Sequence, residues 1–131
     1  METFRLLDTP PMTAAENMAL DEALLELKGR GKTPNTIRFL QFSPRAILVG
    51  FHQSVAEEVR TEYCRAHGIQ INRRVTGGGA IFFDESQLGW EVICDKGFFD
   101  LGFVNEKLFE VLLLLRLLRC SAKWPSRTVL L

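Results

Sequence analysis

Arg73-Arg74-Val75-Thr76-Gly77-Gly78-Gly79-Ala80-Ile81-Phe82-Phe83-Asp84 is the stretch from which the rest of the chain is read. Three successive glycines between apolar, strand-like runs carry a cost in backbone entropy. A tight hairpin needs only one or two. Three let the chain wrap closely around a ligand and aim several N–H groups inward, a nest suited to a phosphate or carboxylate. Arg74, just upstream, is placed to pair bidentately with the same anion. The competing reading is a flexible turn beside a solvated arginine pair. The stretch is not a Walker A loop, because no Gly-Lys-Ser/Thr follows. Nor is it a Rossmann or kinase-type loop, since Phe82 stands where a third spaced glycine is required.

Working outward, Gln70–Arg74 and Ala80–Phe83 read as strands. Leu88–Ile93 reads as a third, joined to the second by a polar turn, Asp84–Gln87. Upstream, Thr3–Leu7 is a short strand ended by Asp8 and Pro10-Pro11. Thr13-Ala-Ala-Glu16 is a capping box, which opens a helix running to about Lys28 and stopping near Gly29 and Gly31. Met18, Leu20, Leu24, Leu25 and Leu27 give that helix a broad apolar face, and Asn17 and Asp21 lie one turn apart on a common side. Thr36–Gln41 and Ala46–Gly50 read as strands around Ser43-Pro44. Ser54-Val-Ala-Glu57 is a second capping-box match, opening a helix to about His67 with Gly68 as its stop. A last helix begins near Phe103 or Val104. Mixed strands and helices with expected hairpins predict an α+β fold, with a mixed, largely antiparallel sheet and flanking helices.

With 131 residues, 47% hydrophobic and 24% charged, the chain fits a single domain over 1–131. Sixteen basic and sixteen acidic residues give a net charge of +0, so a general electrostatic footprint for nucleic acid is absent. The three cysteines are widely spaced and form no disulfide framework or zinc pattern. Reduced thiols and the lack of a targeting segment predict a cytoplasmic protein. The apolar run Val111–Leu118 falls well short of the ~20 residues that span a bilayer, and Arg116 interrupts it, so no membrane is expected. Residues 112–131 form an atypical tail. Six of the seven residues from Leu112 to Leu118 are leucine, and from Leu113 onward there are four basic residues and no acidic ones. Such a segment is apolar almost all round and needs deep burial or a partner. Thr128–Leu131 makes one edge strand at most.

RRVTGGGAIFFD resembles the signature of the lipoate–protein ligase A family, within the biotin/lipoate protein ligase superfamily. AENMALDEALL is similar to that family's N-terminal helix. TIRFLQFSPRAILVGFHQ is similar to its paired strands, which end in Gly-x-x-Gln at Gly50 and Gln53. The resemblance covers roughly Phe4 to Leu108. It implies the biotin/lipoate ligase fold and an ATP-dependent enzyme that activates lipoate to lipoyl-AMP. The acyl group then passes to a lysine of a lipoyl domain or of the glycine-cleavage H protein. ATP with Mg, and lipoate or octanoate, are the implied substrates, with no bound metal site. By the same resemblance Arg74 contacts the phosphate or acyl carbonyl, Thr76, Gly77, Gly78, Gly79 and Ala80 line the pocket, and Gly50 and Gln53 lie beside the acyl tunnel.

The chain departs from the family in two places. Phe83 replaces the family's histidine before the motif aspartate. The family's catalytic lysine, in a Gly-x-Lys-Ile-x-Gly stretch, has no counterpart: Lys96, Lys107 and Lys123 all lie in other surroundings. The chain therefore reads as the N-terminal part of the catalytic domain. A truncated or altered reading frame accounts for the tail, and a split enzyme whose second half or subunit supplies the lysine is the other explanation. Two other functions remain open: an octanoyl or lipoyl transferase working without ATP through a cysteine thioester, and a non-catalytic module that binds acyl groups or a lipoyl domain. Cys64, Cys94 and Cys120 lack a sequence-adjacent activator and read as inert thiols. His52 reads as a packing or surface residue, His67 as a helix C-terminal histidine favoured by the dipole, and Asp84 as a turn carboxylate. Trp90, Phe82, Phe83, Phe98, Phe99 and Phe103 read as core, and Asn17 and Asp21 as ties from the first helix to nearby backbone.

Overall fold

Two small mixed sheets share the work of burying the chain's apolar residues. The computed structural model describes residues 3–98 and the strand 127–130. The elements are β1 (Thr3–Asp8), α1 (Ala14–Gly29), β2 (Asn35–Leu40), β3 (Ala46–Val49), α2 (Val55–Glu58), α3 (Thr61–Ala66), β4 (Gln70–Arg73), β5 (Ile81–Phe83), β6 (Gly89–Ile93) and β7 (Arg127–Leu130). One sheet has the order β6-β2-β1-β7 and the other β4-β3-β5. β1 pairs parallel with β2, and α1 is the crossover that parallel strands require. β7 and β6 close the first sheet antiparallel on its two sides. In the second, β3 pairs parallel with β4 and antiparallel with β5. The α+β class and mixed sheet match the sequence reading, and Thr128 to Leu130 do lie in an edge strand. The helix expected near Phe103 lies outside the described residues.

Two expected hairpins do not form. β2 and β3 belong to different sheets, as do β5 and β6. Each connecting turn carries the chain from one sheet to the other rather than folding it back. The alternation of β5 shows why: Phe83 stacks on Phe42 at 4.7 Å and faces the interior, while β6 is drawn to β2 by the register Ile37↔Val92 and Thr36↔Ile93.

The first capping box is present. The Thr13 hydroxyl accepts from the Glu16 amide at 3.3 Å, and Glu16 Oε2 accepts from the Thr13 amide at 2.9 Å. The predicted single helix from Ser54 to His67 is broken in two at Val59, whose extended φ of −132 and burial put its side chain with Val49 and Cys64. Burying a β-branched residue in that cluster outweighs helix continuity there. Ser54 makes no side-chain cap. The apolar face of α1 is narrower than its leucines imply: Ala14, Asn17, Met18 and Leu24 are buried, whereas Leu25 and Leu27 are exposed.

Three apolar clusters hold the fold. Ala14, Met18, Leu40, Phe42, Ala46 and Leu48 pack between α1 and both sheets, with Phe83 against them. Phe4, Leu6 and Ile37 pack on the other side of the first sheet, with Phe98 edge-on to Phe4. Val49, Val59 and Cys64 seat α3 on the second sheet. Thr13→Ala removes the cap of α1, the longest helix among the described residues, and a chemical denaturation curve should show a loss of about 1 kcal/mol.

Candidate functional site

Arg74 does not project freely into solvent. Its Nη1 donates to the Leu48 carbonyl at 3.0 Å, and its Nη2 donates to the carbonyls of Gly77 at 2.8 Å and Gly79 at 2.7 Å. The guanidinium therefore folds the glycine loop around itself. A trans peptide is planar, with N–H opposite C=O. With the Gly77 and Gly79 carbonyls turned to Arg74, the amides of Gly78 and Ala80 face away from it, which is the donor arrangement of an anion nest.

Arg73 performs the same task on the neighbouring turn. Its Nη1 donates to the carbonyls of Gly50 at 2.7 Å, Phe51 at 2.9 Å and Gln53 at 2.8 Å. Gln53 Oε1 accepts from the Gly50 amide at 2.8 Å, so this side chain closes its own turn. The two loops are tied together where the Phe51 amide donates to the Thr76 carbonyl at 2.9 Å. They also touch at Gly50, where a Cβ would overlap the Gly78 carbonyl oxygen. Gly78 has φ +96, a backbone that glycine adopts without strain. Gly77 and Gly79 differ: a Cβ on either would meet nothing within 4 Å.

Beside this loop lies a cavity of about 300 Å³ between the two sheets and α1. Met18, Leu40, Phe42, Leu48, Ile81 and Phe83 give it apolar walls, and the exposed Leu25, Val75 and Trp90 form an apolar rim. Of the residues singled out in the sequence, Arg74 and Thr76 line it. Gly50, Gln53, Gly77, Gly78, Gly79 and Ala80 are not lining residues; they build the two braced loops. Phe83 lies on the cavity wall, so the departure from histidine makes that wall apolar. Trp90 and Phe82 were expected in the core but are 37% and 45% exposed. Trp90 stands at the cavity rim on edge strand β6, and Phe82 points to the opposite face of β5 from Ile81 and Phe83.

A polar network missing from the sequence reading stands on the same wall. Arg38 in β2 is 0% exposed. Its Nη1 donates to Asp21 of α1 and, at 3.1 Å, to Glu91 of β6; its Nη2 donates to Asn17 Oδ1. Asp21 and Glu91 both line the cavity. Asn17 ties α1 to backbone as expected, its Nδ2 donating to the Met12 carbonyl at 3.2 Å and the Gln41 carbonyl at 2.9 Å. Asp21 does not; it meets a side chain. Burial, reinforced by the charge and hydrogen bond of Glu91 and opposed by Arg38, pushes the Asp21 carboxyl up to about 7. One available signal was a lone arginine inside an apolar strand, Ile37-Arg38-Phe39-Leu40, with a carboxylate-bearing helix beside it in sequence.

The remaining candidates sit elsewhere. Cys64 is buried in the third apolar cluster and Cys94 packs at the second, and neither lines the cavity. Cys120 lies outside the described residues, as do Phe99 and Phe103. His52 is exposed against Phe51, and His67 stacks on Tyr63 at the C-terminal end of α3. Asp84 accepts from the amide and hydroxyl of Ser86, and these bonds hold its carboxyl below the usual range. It organises its own turn rather than the glycine loop. Among the described residues, no group of three or more His, Cys, Asp or Glu is placed to hold a metal ion, and no helix is long and apolar enough to cross a membrane.

Gly50→Ala should destabilise the chain by about 1–3 kcal/mol, because the methyl group displaces backbone. Gly79→Ala should cost far less, and parallel denaturation curves test the contrast. The Asp21 carboxyl has a folded pKa above its unfolded value, so its stabilising contribution is complete below about pH 4 and lost as pH rises through about 7. Unfolding midpoints measured from about pH 5 to about pH 7.5 should fall for the natural chain, with a shallower fall in Asp21→Asn.

The lipoyl protein ligase A/B catalytic domain matches residues 13–120 of the chain. The octanoyltransferase LipM of Brevibacillus brevis is 39% identical over 96 residues, which are 73% of this chain and 34% of that protein. A crystal structure of lipoate-protein ligase A bound with ATP superposes with a TM-score of 0.59 at 34% identity, covering 70% of this chain and 36% of that one. The bi-partite lipoate protein ligase of Thermoplasma acidophilum, described with its E2 lipoyl domain, gives a TM-score of 0.54 at 34% identity, over 70% and 35% of the two chains. The chain spans about a third of the length of the curated relatives it matches. The likeness of fold and the extent of the family match agree, and the chain belongs to the lipoyl protein ligase A/B catalytic domain family of enzymes.

Proposed function

We propose that this chain forms the acyl-binding part of an enzyme that transfers an eight-carbon acyl group, octanoyl or lipoyl, toward a protein lysine. The observation that carries this reading is the apolar cavity opening directly beside the braced glycine loop. An acyl chain in that cavity gains about 0.8 kcal/mol per buried CH₂. The outward amides of Gly78 and Ala80, with the clear surface at Gly77 and Gly79, suit the oxygen-rich head of an activated acyl group. Arg74 supports the head indirectly, by holding the loop that presents those donors.

Transfer from an acyl thioester, without ATP, is the first reading, because the octanoyltransferase relative is matched over most of this chain. Activation of lipoate by ATP-Mg is the second, favoured by the likeness to the ATP-bound ligase and by the phosphate-suited loop. Under either reading the reacting group comes from outside the described residues, since Cys64 and Cys94 are packed away from the cavity and no described lysine lines it. The acceptor is a lipoyl domain or the glycine-cleavage H protein, and the setting is the cytoplasm.

Thermal unfolding with lipoyl-AMP tests the site. At 100 times its dissociation constant the ligand should add about 2.7 kcal/mol, a rise of roughly ten degrees for a domain of this size. Arg74→Ala should lose about 2 kcal/mol of that binding. A cooperative transition that neither lipoyl-AMP nor octanoyl-pantetheine moves would sink the reading. A shift with the thioester alone would favour transfer over ATP-dependent activation.

A further inference from the structure

Asp21 and Glu91 stand on the wall of the cavity, yet acyl binding as described gives them no role. Both accept from one nitrogen, Nη1 of Arg38, which holds the two carboxyl groups side by side. The remaining contacts of that guanidinium are polar but uncharged, to Asn17 and the Thr9 hydroxyl. One guanidinium offsets one carboxylate. A second carboxylate in the same half-buried place leaves an uncompensated charge against an apolar wall, which is costly unless it holds a proton. Burial and the neighbouring Glu91 also favour the protonated Asp21 near neutrality.

We propose that the Asp21–Glu91 pair is a specificity-determining element of the cavity, sharing one proton so that the wall stays neutral toward an uncharged acyl chain. Loss of that proton makes the wall anionic. The inference rests on the acyl reading of the cavity. The charged groups facing the pair are Arg38 from β2 and, among the cavity lining, Arg74 from the loop after β4. Arg74 donates to three carbonyls, and the ion pairs of Asp21 and Glu91 are with Arg38 instead. Packing an apolar chain against the pair excludes water and favours its neutral form further. Acyl binding is thereby coupled to proton retention, and a chain ending in a second carboxylate is rejected at this wall.

The test uses octanamide, which carries no charge, in titration calorimetry of the full chain. Binding should weaken about tenfold between about pH 6 and about pH 8 in the natural protein. In Asp21→Asn and in Glu91→Gln it should change less than about twofold over the same range. Folding of each variant is checked by circular dichroism, and either one suffices. Binding heats of the natural chain near pH 8, in buffers of different ionisation enthalpy, should also report uptake of close to one proton. An unaltered pH slope in the variants, or no proton uptake, overturns the inference while leaving the acyl reading intact. Octanamide that binds at no pH overturns the acyl reading and the inference with it.

Discussion

A guanidinium cut off from water must be surrounded by acceptors, and in this chain Arg38 gathers them from three elements. It lies in the middle of β2, and its partners come from α1, from β6 and from the turn after β1. Removing both carboxyl partners leaves a buried charge unpaired, a loss typically of several kcal/mol. The packing of α1 on the first sheet therefore follows from a polar contact as much as an apolar one. Asn17 and Asp21 share the inward side of the helix with Ala14, Met18 and Leu24, while Leu25 and Leu27 are left exposed. The cavity is a by-product of that orientation, since Met18 and Leu25 are turned toward the second sheet rather than away from it.

The glycine loop uses the same chemistry on a smaller scale. Arg73 and Arg74 are adjacent in sequence and point to opposite faces of their strand end, one gathering the Gly50–Gln53 turn and the other the Gly77–Gly79 turn. Arg73 adds to the bond that its turn makes from the Gln53 amide to the Gly50 carbonyl, and Arg74 satisfies the Gly77 and Gly79 carbonyls. The loop is rigid in spite of its glycines because its carbonyls are fixed from outside. A preorganised set of amides then meets an oxyanion without the reorientation that water would need.

The glycine triplet, the capping box of α1 and the strand periods made the α+β class and the position of the loop legible in the sequence. The hairpins were misjudged, because short polar turns such as Asp84–Gln87 look the same whether they return the chain to the same sheet or pass it to another. Only cross-strand packing decides, and that information sits in Leu40 and Phe42 and in their distant partners Gly89 and Phe83. The site was half legible. Spacing located the loop, while the roles of Arg38, Glu91 and Arg73 depend on partners 17 to 53 residues away. Arg74 holds the loop through three carbonyls as well as lining the cavity, a role that no sequence spacing announces.

The two sheets that enclose the cavity share no strand. Their separation is set by side chains, chiefly Leu40 and Phe42 on one side and Leu48 and Phe83 on the other, with Met18 between them. Those side chains act as the spacers of a caliper. Exchanging one for a larger or smaller residue alters the bore of the cavity while the ladders and the Arg38 network keep their bonds. If the cavity takes an acyl chain as proposed above, preference among chains of different girth can drift in evolution through apolar substitutions alone, without any change in the Arg38 network or the braced loops.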